Sequence, residues 1–236
     1  MARLPRLRAA GHLHLVVWRG HNGQPVVADD TDAHRLLDAV AELAAREGVA
    51  WHGFALLPNE VWLLLTPATD GALGRLMQGV GRRYVRLYND RHGRRGTLWE
   101  GRYRAAVLAP AWALPALVLL DTLPLQRGLC AQPDHYRWSS YRHYAGEQAW
   151  RGLQPPVAWW TLGDTPFARE AAYRQRVAQG LTATQRDALR RAALHGWPLG
   201  DDAFLAALQT ASGRRVQPAR PGRPRKSPAR NDSVPK

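Results

Sequence analysis

The sequence predicts an α+β protein built on an antiparallel, ferredoxin-like sheet with helices on one face. The first observation is the order of apolar patterns along residues 12–108, which runs strand, helix, strand, strand, helix, strand. The second is a tight Pro58-Asn59 turn between two apolar strands, which is typical of a hairpin. A hydrophobic content of 45% over 236 residues is sufficient for a packed core.

The first half of the pattern contains three predicted strands and one helix. "HLHLVVW" (residues 12–18) is a β-type run that ends in a cluster of Gly, Asn and Pro. Residues 31–48 have apolar positions at helical spacing, an N-cap at Thr31 or Asp32 and a terminal glycine, so they predict a helix. "VAWHGFALL" and "EVWLLLTP" then predict the two strands of the hairpin.

The second half begins with a helix over residues 70–93, which carries apolar residues on one side and arginines elsewhere. "RYRAAVL" (residues 102–108) predicts the fourth strand, and residues 113–123 predict a third helix. Two or three further helices are expected over residues 166–194 and 201–212. From Arg214 onward the chain has many cations and prolines and little apolar content, which predicts a disordered basic tail.

The positive charge of the chain is concentrated in two segments. The net charge is +14, and residues 75–104 hold nine arginines against Asp90 and Glu100. Residues 214–236 hold eight further cations against Asp232. Concentrated arginine favours a phosphate-rich partner, and the sequence therefore predicts that the protein binds DNA.

Other features exclude several classes of protein. Uninterrupted apolar runs are too short to span a bilayer, so no membrane association is expected. The basic N-terminal segment is not followed by a signal-type apolar stretch, and a single cysteine, Cys130, suits a reducing compartment. A cytoplasmic location is expected.

Three segments resemble the REP-associated tyrosine transposases, a branch of the single-tyrosine HUH transposases. They are "LPNEVWLLLTP", "RRYVRLYNDRHGRRGTLWEGRYRAAVL" and "HYRWSSYRHYAG", and the resemblance covers residues 11–146. It implies the ferredoxin-like HUH fold and single-stranded, hairpin-forming DNA repeats as the partner. The expected domains are a transposase-like domain (1–146), a helical C-terminal region (147–213) and the disordered basic tail (214–236). A monomer is favoured.

The resemblance also locates the positions at which active relatives carry out strand cleavage. In the family a Pro-Asn-His-x-His motif holds a divalent metal, Mg or Mn, because residues two apart on a strand share a face. Pro58 and Asn59 match this motif, whereas Glu60 and Trp62 replace its histidines. Glutamate can still offer an oxygen to such a metal, but the indole nitrogen of tryptophan is only a donor.

The family's catalytic tyrosine, which forms a covalent phosphotyrosine, is also replaced. The matching "PLQRG" register at residues 124–128 puts Leu119 at the family's tyrosine position and Leu123 at its polar position one helical turn later. All four chemical positions of the family are thus replaced. The resemblance therefore implies a pseudoenzyme with no resident cofactor.

An enzymatically active alternative is also compatible with the sequence. His12 and His14 repeat the His-x-His spacing on the first strand, and with Glu60 they form a candidate relocated metal site. Another tyrosine, such as Tyr84, Tyr88 or Tyr103, would then attack the phosphate. Three hypotheses follow: a catalytically silent DNA-binding protein, an active transposase or nuclease with relocated chemistry, and a product with no present role.

Arginines are the candidate DNA-binding residues, because a guanidinium group matches phosphate oxygens. The candidates in the folded region and in the tail are Arg82, Arg83, Arg86, Arg94, Arg95, Arg102, Arg104, Arg220, Arg223 and Arg225. The tail segment "RPGRPRK" resembles an AT-hook, and a generic basic tail is the alternative. Trp99, Tyr103 and Trp138 are candidates for base stacking, although for Trp99 a core position is favoured.

Overall fold

A four-stranded antiparallel sheet lies at the centre of the protein. The computed structural model describes residues 6–217. The strands are β1 (Leu13–Arg19), β2 (Val49–Leu57), β3 (Glu60–Pro67) and β4 (Arg104–Leu108), in the spatial order β2-β3-β1-β4. Every neighbouring pair is antiparallel. This is the ferredoxin-like arrangement, and the predicted fold class is confirmed.

The β2–β3 hairpin is closed by the two residues that the sequence indicated. Leu57 pairs with Glu60, so Pro58 and Asn59 alone form the turn. The turn is anchored from outside, because the backbone N–H of Gly20 donates to the Asn59 carbonyl at 2.8 Å. The N–H of Val26 donates to the Pro58 carbonyl at 2.7 Å. The start of β3 is therefore fixed relative to the end of β1.

Two helices cover one face of the sheet, as predicted. They are α1 (Asp30–Glu47) and α2 (Ala72–Arg91). The N-cap of α1 is Asp29, whose side chain accepts a hydrogen bond from the Asp32 N–H, so the prediction of Thr31 or Asp32 was wrong. Asp32 is instead buried, and its carboxylate pairs with Arg91 of α2 at 2.7 Å. This ion pair ties the two helices together.

The opposite face is covered by α3 (Ala113–Gln126) and by helices from the C-terminal region. A second apolar cluster joins Leu15, Val17 and Leu64 of the sheet to Leu119 of α3 and Tyr173 farther along the chain. The strands therefore pack on both faces. Their continuous apolar runs, rather than alternating ones, are typical of strands buried on both sides.

The remaining helices follow the sequence pattern. They are α4 (Tyr141–Tyr144), α5 (Pro166–Gln179), α6 (Ala183–His195) and α7 (Asp202–Ser212). The segment between α6 and α7 lies along the outer edge of β4, where the Leu199 N–H donates to the Val107 carbonyl at 2.9 Å. The C-terminal helices thus share a core with the sheet, and the segment between α6 and α7 covers the edge of β4.

Part of the predicted organisation lies outside the described residues. This holds for residues 218–236, with Arg220, Arg223, Arg225 and the AT-hook-like segment of the predicted basic tail. Within residues 6–217, none of the helices combines the length and the apolar character that a bilayer crossing requires.

Candidate nucleic-acid interface

Glu60, at the start of β3, is a buried carboxylate enclosed by three partners. It is 6% exposed. The Trp62 indole Nε1 donates to its Oε2 at 2.9 Å, and the Arg127 Nη2 lies 3.1 Å from the same oxygen. The Arg19 Nε lies 3.1 Å from Oε1. Two guanidinium groups already balance this carboxylate, which leaves it poorly suited to recruit a divalent cation.

The positions beside Glu60 are filled by apolar packing. Trp62, Leu119 and Leu123 are fully buried in the cluster between the sheet and α3. Leu119 faces this core, so the helix packs where the resemblance implies a tyrosine in active relatives. Close-packed side chains leave no room for a DNA strand to approach Leu119.

The relocated metal site proposed from the sequence does not form. His14 lies on the α2-facing side of β1 with Val16 and Trp18, whereas Glu60 faces α3 with Trp62. His14 pairs with Leu65, five residues from Glu60, so the two lie on the order of 16 Å apart along the sheet. His12 precedes β1 and its ring contacts that of Phe204. Across residues 6–217, no three His, Cys, Asp or Glu side chains converge as a metal site would require.

The candidate tyrosines are poorly placed for attack on a phosphate. The Tyr84 hydroxyl donates to the Val26 carbonyl at 2.6 Å, and the Tyr88 hydroxyl donates to the Pro25 carbonyl at 3.2 Å. Burial raises the pKa of Tyr84, Tyr88 and Tyr103 above the ordinary value. A nucleophile requires the opposite shift, towards an easily formed phenolate.

The predicted arginines separate into groups with different surroundings. Arg83 pairs with Glu42 of α1, and Arg94 donates to the Gln24 side chain at 2.6 Å. Arg95 is exposed in the loop after α2. Arg104 turns to the other side of β4, where it donates to the Leu194 carbonyl at 3.1 Å. The structure therefore does not gather all seven arginines of the folded region on one surface.

Three of the predicted arginines do converge, on an open groove of about 770 Å³ between α2 and the segment before β4. Arg82 and Arg86 lie on the α2 side, and Arg102 lies on the opposite side together with Arg6. The remaining lining residues are small or apolar, with one glutamine: Trp18, Gly74, Met77, Gln78, Gly81, Val85, Trp99, Gly101 and Tyr103. We call this feature the arginine groove.

An aromatic cluster forms the floor of the arginine groove. The rings of Trp18 and Trp99 stack with centroids 4.1 Å apart, and Tyr103 meets Trp18 edge-on at 6.3 Å. The Trp18 Nε1 donates to the Gly101 carbonyl at 3.0 Å, which fixes the ring. Trp99 is 5% exposed, so the preference for a core position is confirmed. Trp138 lies elsewhere, against His34 and the Asp30 carboxylate.

The groove depends on glycine at one position of α2. A Cβ atom at Gly81 would lie 2.7 Å from Cη2 of Trp18, so only glycine lets the indole reach the helix backbone. Arg6 and Trp18 also line the groove, and the sequence reasoning did not assign them to the interface. The basic N-terminal segment was visible in the sequence, but its distance along the chain from α2 concealed the contact.

A buried polar network lies behind the α3 packing. The Asp121 carboxylate accepts hydrogen bonds from the Ser140 hydroxyl at 2.7 Å and from the Tyr173 hydroxyl. Burial raises the pKa of Asp121 to about 7. Because Ser140 precedes α4 and Tyr173 belongs to α5, this carboxyl connects α3 to the C-terminal helices. Its partner Tyr173 packs on the face of the sheet opposite the aromatic floor of the arginine groove.

Comparison with known proteins identifies the fold. No protein-family model matches the chain, and no curated protein matches it. A REP-associated tyrosine transposase, solved bound to a REP hairpin, is similar with a TM-score of 0.51 and 14% identity. That similarity covers 66% of this chain and 89% of the other.

A second solved structure is more distant. It is a proposed transposase from Deinococcus radiodurans R1, with 20% identity and a TM-score of 0.36 over 46% of this chain and 87% of the other. The first of these two likenesses shows that the chain shares the fold of that REP-associated tyrosine transposase.

Proposed function

We propose that this protein binds single-stranded, hairpin-forming DNA through the arginine groove and does not cleave it. One observation carries the proposal: four guanidinium groups surround an aromatic, apolar floor. The solved protein with the same fold was bound to a REP hairpin, which supports DNA of that kind as the partner.

The charge of the groove favours a polyanion. Arg6, Arg82, Arg86 and Arg102 contribute four positive charges, and none of the described lining residues is acidic. The ion pair between Arg86 and Asp90 spans 3.8 Å between exposed side chains, so it holds Arg86 only weakly. When arginines neutralise phosphates, the cations condensed on the DNA are released, so binding should weaken as salt rises.

The floor of the groove favours an unpaired strand over a duplex. Trp18, Trp99 and Tyr103 are nearly buried, so bases would meet ring edges and the partly buried side chain of Val85. Unpaired bases expose apolar faces to such surfaces, whereas a duplex keeps them stacked inside. Three other predicted arginines, Arg83, Arg94 and Arg95, would contribute at longer range.

Loss of cleavage is the second half of the proposal. The enclosed Glu60 carboxylate, the Trp62 indole and the buried Leu119 and Leu123 side chains support it. Active relatives are expected to have two metal-binding histidines and a nucleophilic tyrosine at these positions. Here an ion-pair cluster and apolar packing take their place. We therefore interpret the transposase-like region as a binding module.

The test is an equilibrium titration of a fluorescent single-stranded hairpin with the full chain. The double variant Arg82→Glu/Arg86→Glu should bind at least about ten-fold more weakly and lower the salt slope by about two. The matched control is Arg176→Glu/Arg191→Glu, which changes two exposed arginines on α5 and α6. Equal losses in both double variants would show only a loss of overall charge and would remove the groove from the interface.

A further inference from the structure

A second arginine-lined cavity lies on the other side of the edge strand β4 from the arginine groove. Its volume is about 300 Å³, and it is bounded by β4 and by the connection after α6. Its described basic lining residues are the arginines Arg6, Arg102, Arg104 and Arg214, and His195 also lines it. Leu194, Gly196 and Trp197 close it from the C-terminal side. We call it the edge cavity.

Two guanidinium groups at the edge cavity are held in place by the protein. Arg104 Nη1 donates to the Leu194 carbonyl at 3.1 Å. Arg6 donates to the Tyr103 carbonyl from Nε at 3.2 Å and from Nη2 at 2.9 Å, and it lies 3.8 Å from the centre of the Tyr103 ring. A fixed guanidinium loses little conformational entropy when it binds an anion.

The charge balance of the cavity favours an anion. Four arginines line it, and its described lining residues include no carboxylate. The Glu100 carboxylate, which is outside the lining, lies 4.0 Å from Arg104 Nη2. Burial lowers the pKa of Arg214, which agrees with a cation that is desolvated at the cavity wall. Planar guanidinium forks match the geometry of phosphate oxygens.

The edge cavity and the arginine groove are neighbours that share a wall, because Arg6, Arg102 and Tyr103 line both. We infer that the edge cavity binds a backbone phosphate of the same DNA strand whose bases enter the arginine groove. This inference rests on the proposed function. The strand would cross the edge of the sheet at Arg102, and residues 194–197 of the C-terminal region would form one side of its path.

Phosphate neutralisation tests this assignment position by position. The full chain is titrated with a labelled hairpin that carries a single-stranded flank of about ten nucleotides. Each flank phosphate in turn is replaced by an uncharged methylphosphonate. In the wild-type protein at least one position should lower the affinity about ten-fold. That loss should disappear in Arg104→Gln and, separately, in Arg214→Gln, but should persist in Arg82→Glu/Arg86→Glu.

The outcomes separate this inference from the proposed function. If the hairpin binds but Arg104→Gln and Arg214→Gln keep the wild-type profile across the flank, the edge cavity does not hold a strand phosphate, and the arginine groove remains the interface. If the wild-type protein binds no hairpin, the proposed function fails and the strand path fails with it.

A companion measurement identifies the source of the phosphate. The melting temperature is compared in inorganic phosphate and in chloride at equal ionic strength. Phosphate should raise it more for the wild-type protein than for Arg104→Gln or Arg214→Gln. If phosphate stabilises the wild-type protein more than the variants, but no methylphosphonate position depends on Arg104 or Arg214, the cavity binds free phosphate. That result would overturn the proposal that a DNA strand passes through it. An equal response in all three proteins would overturn the phosphate site itself.

Discussion

The indole Nε1 of Trp62 donates a hydrogen bond of 2.9 Å to Oε2 of Glu60, two residues earlier on the same strand. Residues at this spacing share one face of a strand. In the resembling family the same relationship brings two imidazoles to one metal ion. Here it joins the Trp62 indole donor to the Glu60 carboxylate, which Arg19 and Arg127 also contact. The two-residue spacing of the motif is therefore kept, but the carboxylate is already occupied by protein partners.

Glu60→Gln tests how strongly this cluster contributes to stability. The substitution leaves Arg19 and Arg127 without a compensating charge, although their side chains are 32% and 38% exposed and partly screened by water. The free energy of unfolding should fall by about 1–3 kcal/mol, measured by urea denaturation. Asp90→Asn, which removes an exposed ion pair with Arg86, is the control and should change it by less than about 0.5 kcal/mol. If both variants lower the free energy of unfolding by the same small amount, the Glu60 cluster contributes no more to stability than an exposed ion pair does.

Leu119→Tyr tests whether apolar packing fills the position to which the resemblance assigns the catalytic tyrosine. Leu119 is fully buried between α3 and the sheet, so a larger polar ring would overpack the core. The free energy of unfolding should fall by about 1–3 kcal/mol. Leu125→Tyr on the same helix is the control, because Leu125 is 40% exposed and should accept the ring at little cost. A stable Leu119→Tyr variant would mean that a pocket for the tyrosine still exists.

Gly81→Ala tests the shape of the arginine groove without changing its charge. The new Cβ would lie 2.7 Å from Trp18 Cη2, so the indole must move and the floor must rearrange. We expect a change in tryptophan fluorescence and several-fold weaker binding of the single-stranded hairpin. Gly74→Ala is the control, since a Cβ there meets nothing within 4 Å. It should keep the affinity and stabilise α2 by up to about 1 kcal/mol. Unchanged affinity in Gly81→Ala would mean that DNA does not contact this floor.

Asp121→Asn tests the buried carboxyl through the pH dependence of stability. Burial raises the pKa of Asp121 from 3.8 to about 7, so between these values the folded protein holds a proton that the unfolded chain has released. Stability should therefore fall as pH rises through this window, by up to about 4 kcal/mol. The asparagine variant should lose this dependence.

The melting temperature of the wild-type protein and of Asp121→Asn is measured at each pH from 5 to 8. The difference between the two values, plotted against pH, isolates the contribution of Asp121. His14 acts in the opposite direction, because burial lowers its pKa to about 4 and stability is lost as pH falls below 6.5. This contribution is common to both proteins and cancels. Parallel curves would show that Asp121 is not protonated in the folded protein near neutral pH.

The elements were predictable because local patterns determine them. The Pro58-Asn59 turn and the apolar spacing of α1 and α2 define the hairpin and both helices without tertiary information. The N-cap of α1 was not predictable in this way. Asp29 lies beside other capping residue types, and its contact with Arg91, 62 residues away, belongs to the tertiary structure.

The candidate site was predictable in charge but not in shape. Arg82 and Arg86 are four residues apart on α2 and share a face, while Arg83 lies about 100° around the helix and meets α1. Helical spacing therefore indicates which arginines converge. The contribution of Arg6 and Trp18 arises from distant parts of the chain. The metal hypothesis was wrong because His12 precedes β1, so its spacing from His14 does not place both on one face.

The most direct test of the account is a paired gel experiment. The purified protein is incubated with a labelled single-stranded hairpin and Mn²⁺, then run under native conditions and, after protease digestion, under denaturing conditions. The account predicts a native shift with an intact, unlinked strand. A cleaved strand, or one carrying a covalent peptide, would contradict the claim that this transposase fold binds DNA without cutting it.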